Sequence, residues 1–273
     1  FPCVLKPFNL TASQGVIRVN NEQDFISAFE RIKLLLLDIR NNTQKEIIPR
    51  ILIEDYIEGE EVALEGVMVG GKLDVLALFD KPDPLEGPYF EETIYITPSK
   101  KSLEVQASIK NMAEQAARAI GLEEGPVHIE LRLQAKGQYN NQSGPWVIDM
   151  ASRSIGGLCS RSLRFNDDMT LEDIILRHAV NKPIEATQQT AASGVMMIPI
   201  PKAGTLEKIN GMLEAKAVPG ITDITMSIRT GEQLVPLPEG NKYLGFIFAK
   251  SNTPRDVEAA LRSAHSQLNF EIN

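Results

Sequence analysis

Two short runs carry side chains suited to handling a phosphorylated substrate. The first is His128-x-Glu130-x-Arg132, inside the apolar stretch G-P-V-H-I-E-L-R-L that begins at Gly125. The second is Asp149-x-Ala151-x-Arg153, inside W-V-I-D-M-A-S-R-S-I-G-G, which ends on Gly156-Gly157. Strand side chains alternate faces, so His128, Glu130 and Arg132 point one way while Val127, Ile129 and Leu131 point the other. The same rule sets Asp149, Ala151 and Arg153 against Ile148 and Met150. A polar run rich in Gly, Asn and Gln separates the two, as expected of neighbouring strands joined by a turn. If these strands pair, Glu130 and Asp149 face a common space with a guanidinium just beyond. Two hard carboxylates beside a cation suit a magnesium-bound polyphosphate, giving the metal oxygen ligands and the transferring group positive charge. The alternative is a solvated hairpin whose charges face water.

Three further signals lie upstream. Lys6 ends a strand before the loop Thr11-Ala12-Ser13-Gln14-Gly15, where small residues such as Ser13 and Gly15 let backbone amides approach phosphate oxygens. The run Glu54-Asp55-Tyr56-Ile57-Glu58-Gly59-Glu60-Glu61 follows an apolar strand. Its exposed backbone can hydrogen-bond an adenine edge, and a carboxylate a few residues on can accept from ribose hydroxyls. Phe79-Asp80-Lys81 delivers a lysine from a strand end. Each has a plainer reading, a surface lysine or a solvated turn. The Walker lysine motif and the dinucleotide glycine fingerprint are both absent.

The elements that must position these groups follow from periodicity. Strands are expected at 3–6, 16–19 and 51–53, with a hairpin at Gly70-Gly71. Asn21 caps a helix with Phe25, Phe29, Ile32 and Leu36 as its buried stripe. Ser102 opens another, with Leu103, Ile109, Met112, Ala116 and Ile120 apolar and Gly121 as stop; Thr170 caps a third. The proline-rich segment 81–90 reads as a loop. A polar segment at 185–194 marks a boundary. Beyond it the pattern is strand (195–200), helix (205–215), strands (222–229 and 243–249) and helix (254–268), the last begun by Thr253-Pro254.

At 273 residues and 43% hydrophobic, the chain can bury a full core in two or three lobes. A net charge of −8 without a basic stripe argues against nucleic acid, and no apolar run approaches a membrane span. Two cysteines, Cys3 and Cys159, in no metal-like spacing fit free thiols in a reducing cytoplasm. The chain opens on Phe1 inside a strand-like run, so further residues are expected upstream.

The order K-P…S-x-G-V, E-D-Y-I-x-G-x-E-V, D-K, H-I-E and I-D-x-x-x-R-x-x-G-G resembles the ATP-grasp superfamily. The resemblance is to carboxylate–amine ligases of the L-amino-acid ligase type and, more distantly, to biotin carboxylase. It implies an α+β ATP-grasp fold: two lobes with antiparallel sheets clasping ATP, here residues 1–50 and 51–190, and a separate C-terminal α+β lobe over 191–273. It implies ATP and Mg2+ as cofactors, with Mn2+ an allowed substitute. Small-molecule carboxylate and amine substrates follow, amino acids among them, in a cytoplasmic enzyme for which a homodimer is an allowed assembly. By the same resemblance Lys6 and Lys81 hold phosphates, Glu54 to Ile57 line the adenine pocket and Glu61 meets the ribose. Glu130 and Asp149 bind metal, and Arg153 neutralises an acyl phosphate or substrate carboxylate. Glu92 and Tyr95 belong to the substrate segment, Gly156-Gly157 to the substrate loop, and His128 helps at the transferring group. Ala151 stands where many members carry an asparagine ligand, and Asp149 where glutamate is commoner. The family's N-terminal domain lies outside this chain. The alternatives are an accessory nucleotide-binding module without turnover, or a bicarbonate-activating enzyme.

Overall fold

The computed structural model describes residues 1–43, 50–139, 142–183 and 191–273. The first sheet joins β1 (Cys3–Pro7), β2 (Ile17–Val19) and β3 (Ile51–Asp55) in the antiparallel order β2-β1-β3. α1 (Glu22–Thr43) starts where the Asn21 side chain accepts from the Asp24 amide at 2.9 Å. Ala28, Ile32 and Leu36 bury against Leu5, Ile17 and Val19. Phe29, expected in that stripe, is 37% exposed and stacks on Phe25, because Ala28 takes the core-facing position. β3, which follows the expected boundary at residue 51, pairs with β1 along its whole length.

The second sheet carries the site. It comprises β4 (Glu60–Val69), β5 (Lys72–Asp80), β6 (Ile94–Thr97), β7 (Gly125–Tyr139), β8 (Gln142–Ala151) and β9 (Ala192–Ile198). β11 (Ile221–Met226) and β13 (Gly245–Ser251) complete it, in the order β11-β13-β9-β6-β5-β4-β7-β8. The hairpins fall where Gly70-Gly71 and the polar run placed them, although Asn140 and Asn141 lie outside the described residues. α2 (Leu103–Ala119) covers one face: Ile109, Ala113 and Ala117 pack on Val62, Leu64, Met68, Val127, Ile129 and Leu131. Leu103 and Ile120, counted as apolar helix residues, lie at the helix ends and are exposed, because the stripe runs through Ala113 and Ala117 instead. α3 (Leu171–Ala179), closed by a reciprocal Thr170–Asp173 capping box, helps cover the opposite face with Ile155, Cys159, Leu163 and Phe165. β4 is therefore buried on both faces.

The C-terminal segment departs most from expectation. Residues 204–210 form a strand, β10 (Gly204–Asn210), and the helix is only α4 (Met212–Lys216). β10 pairs with β12 (Gln233–Leu234) and β14 (Asn269–Ile272) in a third sheet, so its polar residues gain ladder partners that no local pattern announces. α5 (Pro254–Gln267) begins at Thr253-Pro254 as read. β9 and β13 extend the site-bearing sheet through β6, a four-residue buried strand absent from the sequence reading. The boundary run overlaps residues 184–190, outside the described residues.

Candidate active site

The register of β7 and β8 decides the central expectation. Glu130 stands directly opposite Asp149, and His128 opposite Ala151. Opposed residues in an antiparallel pair share a face, with Cβ atoms about 5 Å apart. A bulge follows between the Glu130–Asp149 and Leu131–Val147 pairs, passing over Ile148. Val147 and Met150, rather than Ile148 and Met150, therefore pack toward the α2 side. Burial, and then the neighbouring Glu130 charge, raise the Asp149 carboxyl above its ordinary range. A cation between the two would relieve that repulsion, so the donor set fits a divalent metal. Arg153 lies exposed just past β8, donating to the Ser154 carbonyl at 2.8 Å. Its charge reaches both Asp149 and Glu65.

Behind this pair lies a buried charge cluster. Lys81 Nζ, at the end of β5, contacts Glu61 Oε1 at 2.6 Å, Glu92 Oε1 at 2.6 Å and Glu130 Oε1 at 3.0 Å. The Tyr95 hydroxyl donates to Glu92 at 2.6 Å. Glu61 also holds Arg132 at 3.1 Å, and Arg132 donates to the Ile57 carbonyl at 2.7 Å. Unpaired, such buried charges would cost several kcal/mol each; their mutual contacts offset that. Burial alone would lower the Lys81 pKa, but Glu130, Glu92 and Glu61 hold it well above normal. Burial and the Glu130 charge push Glu92 up to about 7, whereas Lys81 and His128 overcome burial and hold Glu130 well below its usual value. Among the described residues, Glu61, Glu92 and Glu130 form a group of three carboxylates close enough together to hold a cation, and the Lys81 ammonium contacts all three.

Three residues given roles by the sequence sit inside or beside this cluster. Lys81, expected to hold phosphate, faces the three carboxylates with a side chain 3% exposed. Glu61, expected to meet the ribose, is buried between Lys81 and Arg132. His128 lies between Glu65 and Glu130: Nδ1 bonds Glu65 Oε1, and Nε2 is 3.4 Å from Glu130 Oε1. Burial would lower its pKa, but the two carboxylates raise it to about 10.

The nucleotide-side expectations fare unevenly. Lys6 Nζ reaches from the first sheet to the Ile148 carbonyl at 2.7 Å and to Glu54 at 2.6 Å, bringing Glu54 close to β8. Asp55 pairs with Cys3 in the β-ladder. Two main-chain groups assigned to an adenine edge are engaged: the Tyr56 amide donates to the Pro2 carbonyl, and Ile57 accepts from Arg132. The Tyr56 ring lies between the Arg18 and Arg132 guanidiniums, at 3.9 and 4.9 Å. The Ser13–Gly15 loop is not an open amide cradle. The amides of Gln14 and Val16 close local turns onto the Thr11 and Ser13 carbonyls, and the Gly15 amide donates to the Pro238 carbonyl. Gly156 has open space beside Arg153, whereas a Cβ at Gly157 would meet the Phe246 ring at 3.0 Å.

Residues 1–162 match the family model described as ATP-grasp domain. The chain belongs to the ATP-grasp family. Residues 196–273 match a second model, L-amino acid ligase C-terminal domain 2. The structure of an L-amino acid ligase from Bacillus licheniformis is similar at a TM-score of 0.81 and 26% identity, over 100% of this chain and 65% of that one. Alanine–anticapsin ligase of Bacillus subtilis is 26% identical over 57% of this chain and 34% of its own length. An uncharacterized Sinorhizobium fredii protein, y4rH, is 23% identical over 100% of this chain and 53% of its own. The chain thus spans about half the length, or less, of these curated relatives. No helix among the described residues is long and apolar enough to cross a membrane.

Sequence reading of the ATP-grasp motifs missed Glu65 and gave Arg132 no role. Glu65 sits in the apolar run V-A-L-E-G-V, where a lone glutamate gives only the signal of a charge amid residues that must be buried.

Proposed function

We propose that this ATP-grasp chain forms the catalytic core of a carboxylate–amine ligase that joins amino acids through an acyl phosphate. The observation that carries the reading is the Glu130–Asp149 cross-strand pair with Arg153 beside it, on the same sheet face as the Glu92 cluster. A substrate carboxylate attacks the γ-phosphorus of ATP and ADP leaves. An amine nitrogen then attacks the acyl carbon, phosphate departs, and the nitrogen loses a proton. Glu130 and Asp149 would hold Mg2+, which supplies charge stabilisation for phosphoryl transfer. Arg153 meets the anionic carboxylate or acyl phosphate. Glu92 and Tyr95 receive a substrate ammonium; the same carboxylate already holds the Lys81 ammonium at 2.6 Å. Glu54 and Lys6 border the nucleotide side, joined to β8 through the Ile148 carbonyl.

The test uses the full product of the gene, with pairs of amino acids and one carboxylate labelled with 18O. Ligation predicts ADP formation that requires both partners, and transfer of one labelled oxygen to phosphate. ATP binding with no turnover for any pair would favour the accessory module, and turnover requiring bicarbonate would favour the carboxylase-like chemistry.

A further inference from the structure

A carboxylate that is 1% exposed needs a physical reason to be there, since an apolar residue would fill the same space at lower desolvation cost. Glu65 is such a residue. It projects from the middle of β4, opposite His128 on β7, next to the bulge between Glu65 and Gly66. Its two oxygens are used differently. Oε1 binds His128 Nδ1, and His128 Nε2 approaches Glu130 Oε1 at 3.4 Å. Oε2 accepts the Ile155 backbone N–H at 3.0 Å. Ile155 is buried, two residues beyond Arg153 in the loop that leaves β8. One carboxylate thus grips both the residue beside the proposed metal ligand and the loop that carries the exposed arginine. Ala151, opposite His128, leaves the imidazole room beside Glu65.

We infer that Glu65 is a positioning residue, fixing Glu130 through His128 and the Arg153 loop through the Ile155 amide, so that ligand and arginine keep a set separation. This rests on the ligase reading only for its catalytic consequence; the grip on metal ligand and loop is tested without turnover. Groups that orient a metal ligand typically change metal affinity or activity 10–100-fold when removed.

The experiment measures Mn2+ binding in the presence of ADP by electron paramagnetic resonance, and amide exchange in residues 153–157 by mass spectrometry. Glu65→Ala is expected to weaken Mn2+ binding at least tenfold and to speed exchange in that loop at least tenfold. Glu65→Gln can still accept from Ile155 but loses the charged bond to His128. It is expected to keep loop exchange within about twofold of the parent while Mn2+ binding falls several-fold. Should Glu65→Ala fail to fold, the Gln variant alone decides. Parent-like Mn2+ affinity in the Gln variant, or an unchanged loop in a folded Ala variant, overturns the inference. If the parent protein binds Mn2+ but shows no amino-acid ligation, the functional proposal fails while this inference is still decided by the two binding and exchange readouts.

Discussion

At the scale of single residues, the site sets acidic ligands against a ring of held cations. Arg153 is exposed and donates to the neighbouring Ser154 carbonyl, so Arg153→Ala should leave the melting temperature unchanged while cutting turnover by a hundredfold or more, on the order of 3 kcal/mol. Glu130 is different, because it also stabilises Lys81 and His128. Glu130→Gln keeps its volume and should abolish metal-dependent ADP formation with only a modest loss of stability, read by activity and thermal melts on the same sample. The buried histidine makes a pH prediction with a definite sign. His128 titrates near 6.5 when unfolded and at about 10 when folded, so the native state binds the extra proton between those values. Its stabilisation is fully present below pH 6.5 and is lost as pH rises toward 10. Melting temperature should therefore fall from pH 6.5 to 10, and His128→Asn should flatten that fall; an equally steep fall in the variant would contradict it. Glu92, held protonated up to about 7 by burial and the Glu130 charge, adds a fall in stability between about 4.5 and 7.

At the scale of elements, the site depends on one strand being buried on both faces. β4 gives Val62, Leu64 and Met68 to the α2 side and Glu61 and Glu65 to the site. The helices that cover it are held by local chemistry. Thr170 and Asp173 satisfy each other's backbone donors at the start of α3, at 2.9 and 3.1 Å. Thr170→Ala should cost about 1 kcal/mol in denaturant unfolding, with activity below the transition unchanged, because α3 packs behind the site and not in it. The β8 bulge matters more for function. It passes over Ile148, whose carbonyl accepts Lys6, and so couples strand register to the first sheet.

At the scale of the whole molecule, residues 236–240 fasten the first sheet and its loop to the C-terminal segment. The Gly15 amide donates to Pro238 at 2.8 Å, Gln14 Nε2 to the Glu239 carbonyl at 2.6 Å, and Arg31 makes a two-pronged pair with the Glu239 carboxylate. Arg31 and Glu239 are 44% and 38% exposed, so solvent screens the ion pair. A double-mutant cycle on Arg31→Ala and Glu239→Ala should return a coupling of only about 0.2–1 kcal/mol in stability, shrinking in high salt. The larger effect is expected in geometry: amide exchange in residues 11–16 should rise in both single variants, since two backbone contacts lie beside that pair.

The sequence alone determined the elements whose information is local. Alternation of apolar and charged residues set the faces of β7, spacing and caps set α1, α3 and α5, and the ordered motifs gave the family. It also offered Glu130 and Asp149 as partners across a hairpin, but what sets them opposite one another is the bulge over Ile148, which alternation alone does not supply. Tertiary structure decided what depends on distant partners. β6, β10 and β14 are strands because their ladder partners exist, not because their residues demand it. Lys81 is caged because Glu61, Glu92 and Glu130 arrive from three other segments. Glu65 became intelligible only when the fold brought His128 and the Ile155 amide to its two oxygens, since a buried charge is tolerated or not according to partners that no window of sequence contains.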